Sequence, residues 1–259
     1  MDKEKLKEMA RDKRFISGIY NYCDQWCERC PQTSRCLNHA MIEEEFTDRE
    51  TQDIRNESFW TKLSEVFKDT LDMLKERALS EGIDLDALDT EIIEEEDSSL
   101  QETVRNHEIA RAAKAYADMA ENWLEDFGCY IGVGQEVNEG TREQNGIEDA
   151  FEVVRWYQNQ IYVKLVRAIS GLMEEEAEIS DEGEQYARDS EGSAKVALIG
   201  IDRSIAAWGI LGRLFPTLRS QDVHAILTHL ERLRRLTEKY FPGARGFLRP
   251  GFDRMDLNG

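Results

Sequence analysis

Four of the chain's five cysteines fall in the short stretch "CDQWCERCPQTSRC", at Cys23, Cys27, Cys30 and Cys36. Their spacing, C-x3-C-x2-C-x5-C, puts the first three at i, i+4 and i+7. On a helix those thiols share one face, continuing the stripe of Ile16, Ile19 and Tyr20. Pro31 ends such a helix near Cys30, and the short return that follows brings Cys36 back as a fourth thiol. Four thiolates so placed can enclose a [4Fe–4S] cluster or a single tetrahedral Zn2+. Zinc ligands more often come as two pairs joined by a longer spacer, so three ligands along one helix and a wrapping loop favour the cluster. Free or oxidised thiols are the plainer alternative, since cysteine is a small hydrophobe that suits a core stripe. That alternative gives Cys36 no role. Cys129 stands alone and reads as structural.

The last three cysteines, in "CERCPQTSRC", resemble the C-x2-C-x5-C part of the [4Fe–4S] loops of endonuclease III-type DNA glycosylases and RecB-like nucleases. The resemblance implies a [4Fe–4S] cluster held through Cys27, Cys30 and Cys36. It spans these ten residues and does not extend to glycosylase or nuclease activity. The spacing from Cys23 to Cys27 is shorter than in the glycosylases, and the segment is N-terminal instead of C-terminal. "YIGVGQ" is similar to a helix–hairpin–helix turn but lacks its proline. A radical SAM reading fails too, because Arg29 stands where an aromatic residue is usual and no barrel strands follow.

No other constellation is as sharp. His39, His107, His224 and His229 are preceded three residues earlier by Cys36, Val104, Gln221 and Ile226, so the Glu-x-x-His of di-iron bundles is missing. His224 and His229 are five apart, too far around a helix to grip one ion. Surface roles are expected for the histidines, except that His39 lies close enough to Cys36 to be a spare ligand or supporting donor. In the apolar segment from Ala194 to Phe215, Lys195, Asp202, Ala206, Gly209 and Arg213 share a face. An enclosed Asp202 requires a basic partner: Lys195, Arg203, Arg213 or an arginine from another helix. A polar pocket there would instead suit an enzyme.

The elements that must position these residues are helices. Hydrophobic residues make up 41% of the 259 residues, charged residues 33%, and there are 4 prolines and 5 tryptophans. Apolar residues recur at helical spacing with no strand alternation. The expected fold is all-α: an antiparallel helical bundle with an N-terminal four-cysteine metal-binding segment. Residues 1–50 form that segment and 51–259 the bundle, with an irregular acidic connection at about 80–98. Helices are expected at Asn38–Glu50, Ser58–Leu79, Ser99–Phe127 (Ser99 capping), Ile147–Glu176, Gly192–Phe215 and Ser220–Tyr240. A glycine-rich loop, "GCYIGVGQEVNEGTREQNG", separates the third and fourth of these.

The net charge is −20, unevenly spread: residues 203–259 carry 10 Lys/Arg against 5 Asp/Glu, leaving −25 on the rest. Phosphate backbones repel such a body, so nucleic-acid binding is disfavoured. The basic C-terminal part suits docking on the acidic body or on an acidic protein partner. "MDKEKLKEMARDKR" shows no secretory pattern, and Asp202 with Arg203 interrupts the one apolar run long enough for a membrane. The expectation is a soluble, cytoplasmic, metal-binding protein in which disulfides are disfavoured. Three functions fit: an iron–sulfur protein with a structural or electron-transferring cluster, a zinc-stabilised interaction module, or an enzyme with a pocket inside the bundle.

Overall fold

Every regular element among the described residues is helical, in a computed structural model that describes residues 3–83, 85, 90–131, 142–177, 183–215 and 220–253. The α-helices are α1 (Lys3–Arg11), α2 (Leu37–Glu45), α3 (Arg49–Gln52), α4 (Glu57–Ser80), α5 (Thr90–Asn106), α6 (Glu108–Ile131), α7 (Arg142–Ala177), α8 (Gly183–Leu214) and α9 (Ser220–Tyr240). No described helix is long and apolar enough to cross a membrane. The chain forms two compact units, residues 1–96 with 250–259, and residues 97–249. The division thus falls within α5 and not near residue 50. What keeps α4 with the first unit is its N-terminal end: Lys62 pairs with the buried Glu45 of α2 at 2.6 Å, and the Phe46 and Phe59 rings stand 5.6 Å apart.

The first unit has a thin core. Among its described residues, Ile19, Trp26 and Ala78 are the buried apolar side chains. The helix expected over Asn38–Glu50 breaks after Glu45, because Asp48 caps a new turn by accepting from the backbone N–H groups of Glu50 and Thr51. Asn56 caps α4 through the N–H of Ser58. The α4 stripe is left largely uncovered, with Phe67, Leu71 and Leu74 more than half exposed.

The second unit is built on α6, α7, α8 and α9. The α7–α8 pair is the most extensive contact, and α6 packs on α7 and α9, and α8 on α9. Gly200 of α8 lies so close to α7 that a β-carbon there would meet the Tyr157 ring at 2.8 Å. Trp208 of α8 stands edge-on to Trp123 of α6 at 4.9 Å, and donates its indole N–H to the Tyr116 hydroxyl at 3.2 Å. These rings, with Ile109, Ala113, Ala120, Val154, Ile161, Leu165, Ile169, Leu198 and Ile201, form a core from the apolar positions that helical spacing aligns.

Three local expectations are corrected. The acidic connection is not irregular throughout: α5 begins at Thr90, so Ser99 lies inside a helix and caps nothing. The helix expected from Ser99 to Phe127 is broken at His107, whose Nδ1 accepts the Ile109 N–H at 3.3 Å and starts α6. Asp202 is not enclosed: its side chain is 41% exposed, facing Arg245 at 2.5 Å and Arg234 at 3.7 Å. Lys195 donates to the Arg245 carbonyl at 2.7 Å instead of reaching Asp202. Arg235 and Arg234 also pair with Glu231, and Arg245 with Glu238, so these C-terminal arginines are engaged within the unit. The glycine-rich loop falls mostly at 132–141, outside the described residues.

Two outcomes follow from this packing. Replacing Asp202 by Ala lowers stability by about 1 kcal/mol or less in chemical denaturation, as a half-exposed ion pair should; a loss of several kcal/mol would contradict the geometry. Glu191 is the opposite case. Burial raises its carboxyl pKa, although the Gly243 N–H donates to it at 3.1 Å, and its second carboxylate oxygen is buried with no hydrogen-bond partner. A raised folded-state pKa favours the neutral acid, so the wild type is relatively most stable below the unfolded carboxyl pKa and loses that advantage as pH rises through the folded value. Glu191→Gln therefore stabilises the protein at pH 7, by a modest amount because solvent screens this partly exposed carboxyl, and the gain disappears below about pH 4. Melting curves at both pH values measure this, and an equal effect at both would show that charge burial is not the cause.

Candidate metal centre

Between Ile16 and Leu37 the backbone is not one helix but a series of tight turns. Short 3-10 segments cover Ile19–Tyr22, Cys27–Arg29 and Thr33–Arg35. Cys23 is extended, with φ −108° and ψ 166°. Cys30 is also extended, at φ −85° and ψ 123°, the conformation required of a residue before proline. The i, i+4, i+7 helical alignment is therefore corrected. What prevents a helix is local. Gln25 sits at φ +57°, in the left-handed region that breaks a right-handed helix, and the Asp24 carboxylate accepts the Trp26 N–H at 3.4 Å as a side-chain turn.

These turns nonetheless bring the cysteines together. The Cys30 N–H closes one turn on the Cys27 carbonyl at 3.2 Å, and the Cys36 N–H closes another on Thr33 at 3.2 Å. The Ile16 N–H donates to the Arg35 carbonyl at 3.0 Å, drawing the end of the segment back beside its start. Cys36 then stands at the N-terminus of α2. Cys23, Cys27, Cys30 and Cys36 all line one small, partly open hollow of about 20 Å³, together with Ile19, Trp26, Gln32, His39 and Phe252. The four cysteines are free of disulfides and half-buried.

The electrostatics show how near they are. Burial raises the Cys27 thiol pKa, and Cys23, Cys30 and Cys36 push it the same way, with Glu28 adding to them. A thiolate at Cys27 would face three potential thiolates, so without a cation the site favours the protonated form. The Gln32 N–H donates to the Cys30 sulfur at 3.4 Å, and the Cys23 thiol donates to the Tyr20 carbonyl at 3.4 Å. Arg29 lies over the buried Trp26 indole at 4.1 Å. Among the described residues, no set of three or more His, Cys, Asp or Glu side chains is arranged to grip a metal ion.

The histidines separate. His39 joins the cysteine hollow, with Nδ1 3.4 Å from Glu43. His229 is a cross-link that its sequence position does not announce: its Nε2 donates to the Ala112 carbonyl at 2.7 Å, tying α9 to α6. His107 is a helix break. Neither of two broader surface depressions, one around Ser99, Glu102 and Met173 and the other around Arg49, Gln52 and Asn56, includes Asp202 in its lining.

Gln25 tests whether the turn geometry matters to the site. Gln25→Gly relieves the positive φ and is expected to leave the cysteine turns in place, whereas Gln25→Val places a β-branched residue in a conformation it resists, at a cost of about 1–3 kcal/mol. Alkylation rates of Cys23, Cys27, Cys30 and Cys36 in the reduced protein distinguish them; equal rates in both variants would show that the left-handed turn does not position the cysteines. Compared with protein-family models, curated proteins and solved structures, the chain matches none.

Proposed function

We propose that Cys23, Cys27, Cys30 and Cys36 hold one [4Fe–4S] cluster, in a cytoplasmic iron–sulfur protein whose antiparallel helical bundle carries this N-terminal segment. The observation that carries the reading is the shared hollow: all four thiols line it, and the other three act on Cys27. The C-x2-C-x5-C spacing of Cys27, Cys30 and Cys36 favours a cluster over zinc, whose ligands more often come as two pairs joined by a longer spacer.

The protein's part is to supply four thiolates and keep water scarce around them. Ile19 and Trp26 are buried beside the hollow, and the Gln32 N–H aimed at the Cys30 sulfur stabilises negative charge there. The Cys23 thiol proton, now donated to the Tyr20 carbonyl, would leave on ligation, as would the other three. The bound cluster supplies a rigid cross-link or a one-electron carrier.

Protein prepared without oxygen is expected to be brown and to contain about four iron and four sulfide per chain. Cys36→Ser loses most of both, because the loop then closes on three ligands. Metal removal disorders the N-terminal segment while far-ultraviolet dichroism retains the signal of the long helices. Colourless wild type with one zinc per chain would replace this reading with a zinc-stabilised interaction module, and metal-free wild type would defeat both.

A further inference from the structure

The cysteine hollow is not made by the N-terminal segment alone. Phe252 lines it beside all four cysteines, although the whole second unit separates it from them in sequence. Residues 250–259 belong to the same compact unit as the cysteines. Their seating is keyed by Gly251. Its φ of +75° lies in the left-handed region, and a β-carbon at that position would meet Ile16 at 2.7 Å and Ile19 at 2.8 Å. Ile16 carries the N–H that ties the segment to Arg35, and Ile19 is 2% exposed in the wall of the hollow. A bare backbone at Gly251 thus lies against the residues that shape the site, and the next side chain turns into its lining. Nothing in the cysteine motif announces this.

We infer that Gly251 and Phe252 are part of the cysteine site, with Phe252 the side chain that shields the four sulfurs from solvent and oxidants and Gly251 the joint that seats it. This takes the cluster as the occupant, but the shielding of the thiols is a property of the fold and can be measured without metal. Cysteine reactivity follows exposure as well as thiolate character. Removing an aromatic wall from a half-open hollow raises exposure while leaving the number of ligands unchanged.

The experiment uses the full chain in two states. In the metal-free, reduced protein, alkylation of each cysteine by iodoacetamide is followed by peptide mass. In the anaerobically loaded protein, bleaching of the visible band in air is followed by absorption. Phe252→Ala is expected to accelerate alkylation of Cys23, Cys27, Cys30 and Cys36, and bleaching, by roughly fivefold or more. Phe252→Leu restores most of the protection because it returns apolar bulk. Gly251→Val, which cannot seat the tail, behaves like Phe252→Ala. Unchanged alkylation in both Phe252→Ala and Gly251→Val would overturn the inference, whatever the metal content. If the wild type binds no iron but alkylation still depends on Phe252, the cluster reading falls and the shielding stands. If iron binds and neither alkylation nor bleaching responds to Phe252→Ala, the shielding falls and the cluster reading stands.

Discussion

A unit that buries so little apolar surface needs another source of cohesion. In residues 1–96 and 250–259 the described buried apolar side chains are Ile19, Trp26 and Ala78. Burying a side chain of that class contributes about 1.5–3 kcal/mol, while fixing each residue's backbone costs about 1–2 kcal/mol. Ion pairs such as Lys62–Glu45 fix geometry without replacing a core. Closing four thiolates on a metal centre is of a different magnitude, on the order of 10 kcal/mol for structural zinc. It would act where the unit is thinnest, among short turns that have no repeating hydrogen-bond ladder of their own. A metal centre of the kind proposed would supply the cohesion that the thin core lacks.

The second unit faces no such shortage, and its chemistry is correspondingly quiet. Its polar groups mostly hold helices to one another. His229 reaches the Ala112 carbonyl, Arg245 spans Asp202 and Glu238, and Trp208 satisfies its indole on Tyr116. Three of the arginines that make the C-terminal part basic, Arg234, Arg235 and Arg245, pair with carboxylates of the same unit. Glu191 is the exception, a carboxyl made costly by burial.

How much was legible in the sequence depended on how the information was encoded. Long apolar stripes specify long helices, so α4 and α9 follow directly from period, and the Ser58–Leu79 expectation differs from α4 by a residue at each end, whereas α7 and α8 begin at Arg142 and Gly183, ahead of the expected Ile147 and Gly192 where their apolar stripes start. Helix breaks set by one side chain are harder. His107 ends one helix and starts another with a single ring nitrogen, and nothing about a lone histidine distinguishes that role from a solvated one. Ser99 with Glu102 has the form of a capping box, yet the acidic residues before it prolong the helix instead. The enclosed Asp202 was expected from apolar neighbours in sequence. Its own face of α8, shared with Lys195, looks out on the arginines instead. In the cysteine segment, the four residues of the motif line one hollow, but the backbone that brings them there is not the helix their spacing suggests. Helical spacing and successive tight turns both bring i, i+4 and i+7 thiols near one another, and Gln25 at positive φ is a conformation that glutamine does not signal. Phe252 was invisible because long-range closure leaves no local pattern.

The turn-built site has a consequence that a helix-built one lacks. On a helix, three thiols would be held at fixed spacing whether or not anything bound them. Here three turns hold the four cysteines: Cys23 follows Ile19–Tyr22, Cys27 opens and Cys30 closes the turn at Cys27–Arg29, and Cys36 follows Thr33–Arg35. Small rotations of the turns would let the proposed centre draw its four thiolates together. Burial first, and the neighbouring cysteines after it, raise the Cys27 pKa, so neutral thiols are favoured until a cation offsets the charge. Ligand geometry would then be set jointly by that centre and by the residues that limit how far the turns can move. Those limits are the Ile16–Arg35 bond at the base of the segment and the close packing of Gly251 on Ile16 and Ile19. Specificity for one metal centre over another would reside in these constraints as much as in the four sulfurs.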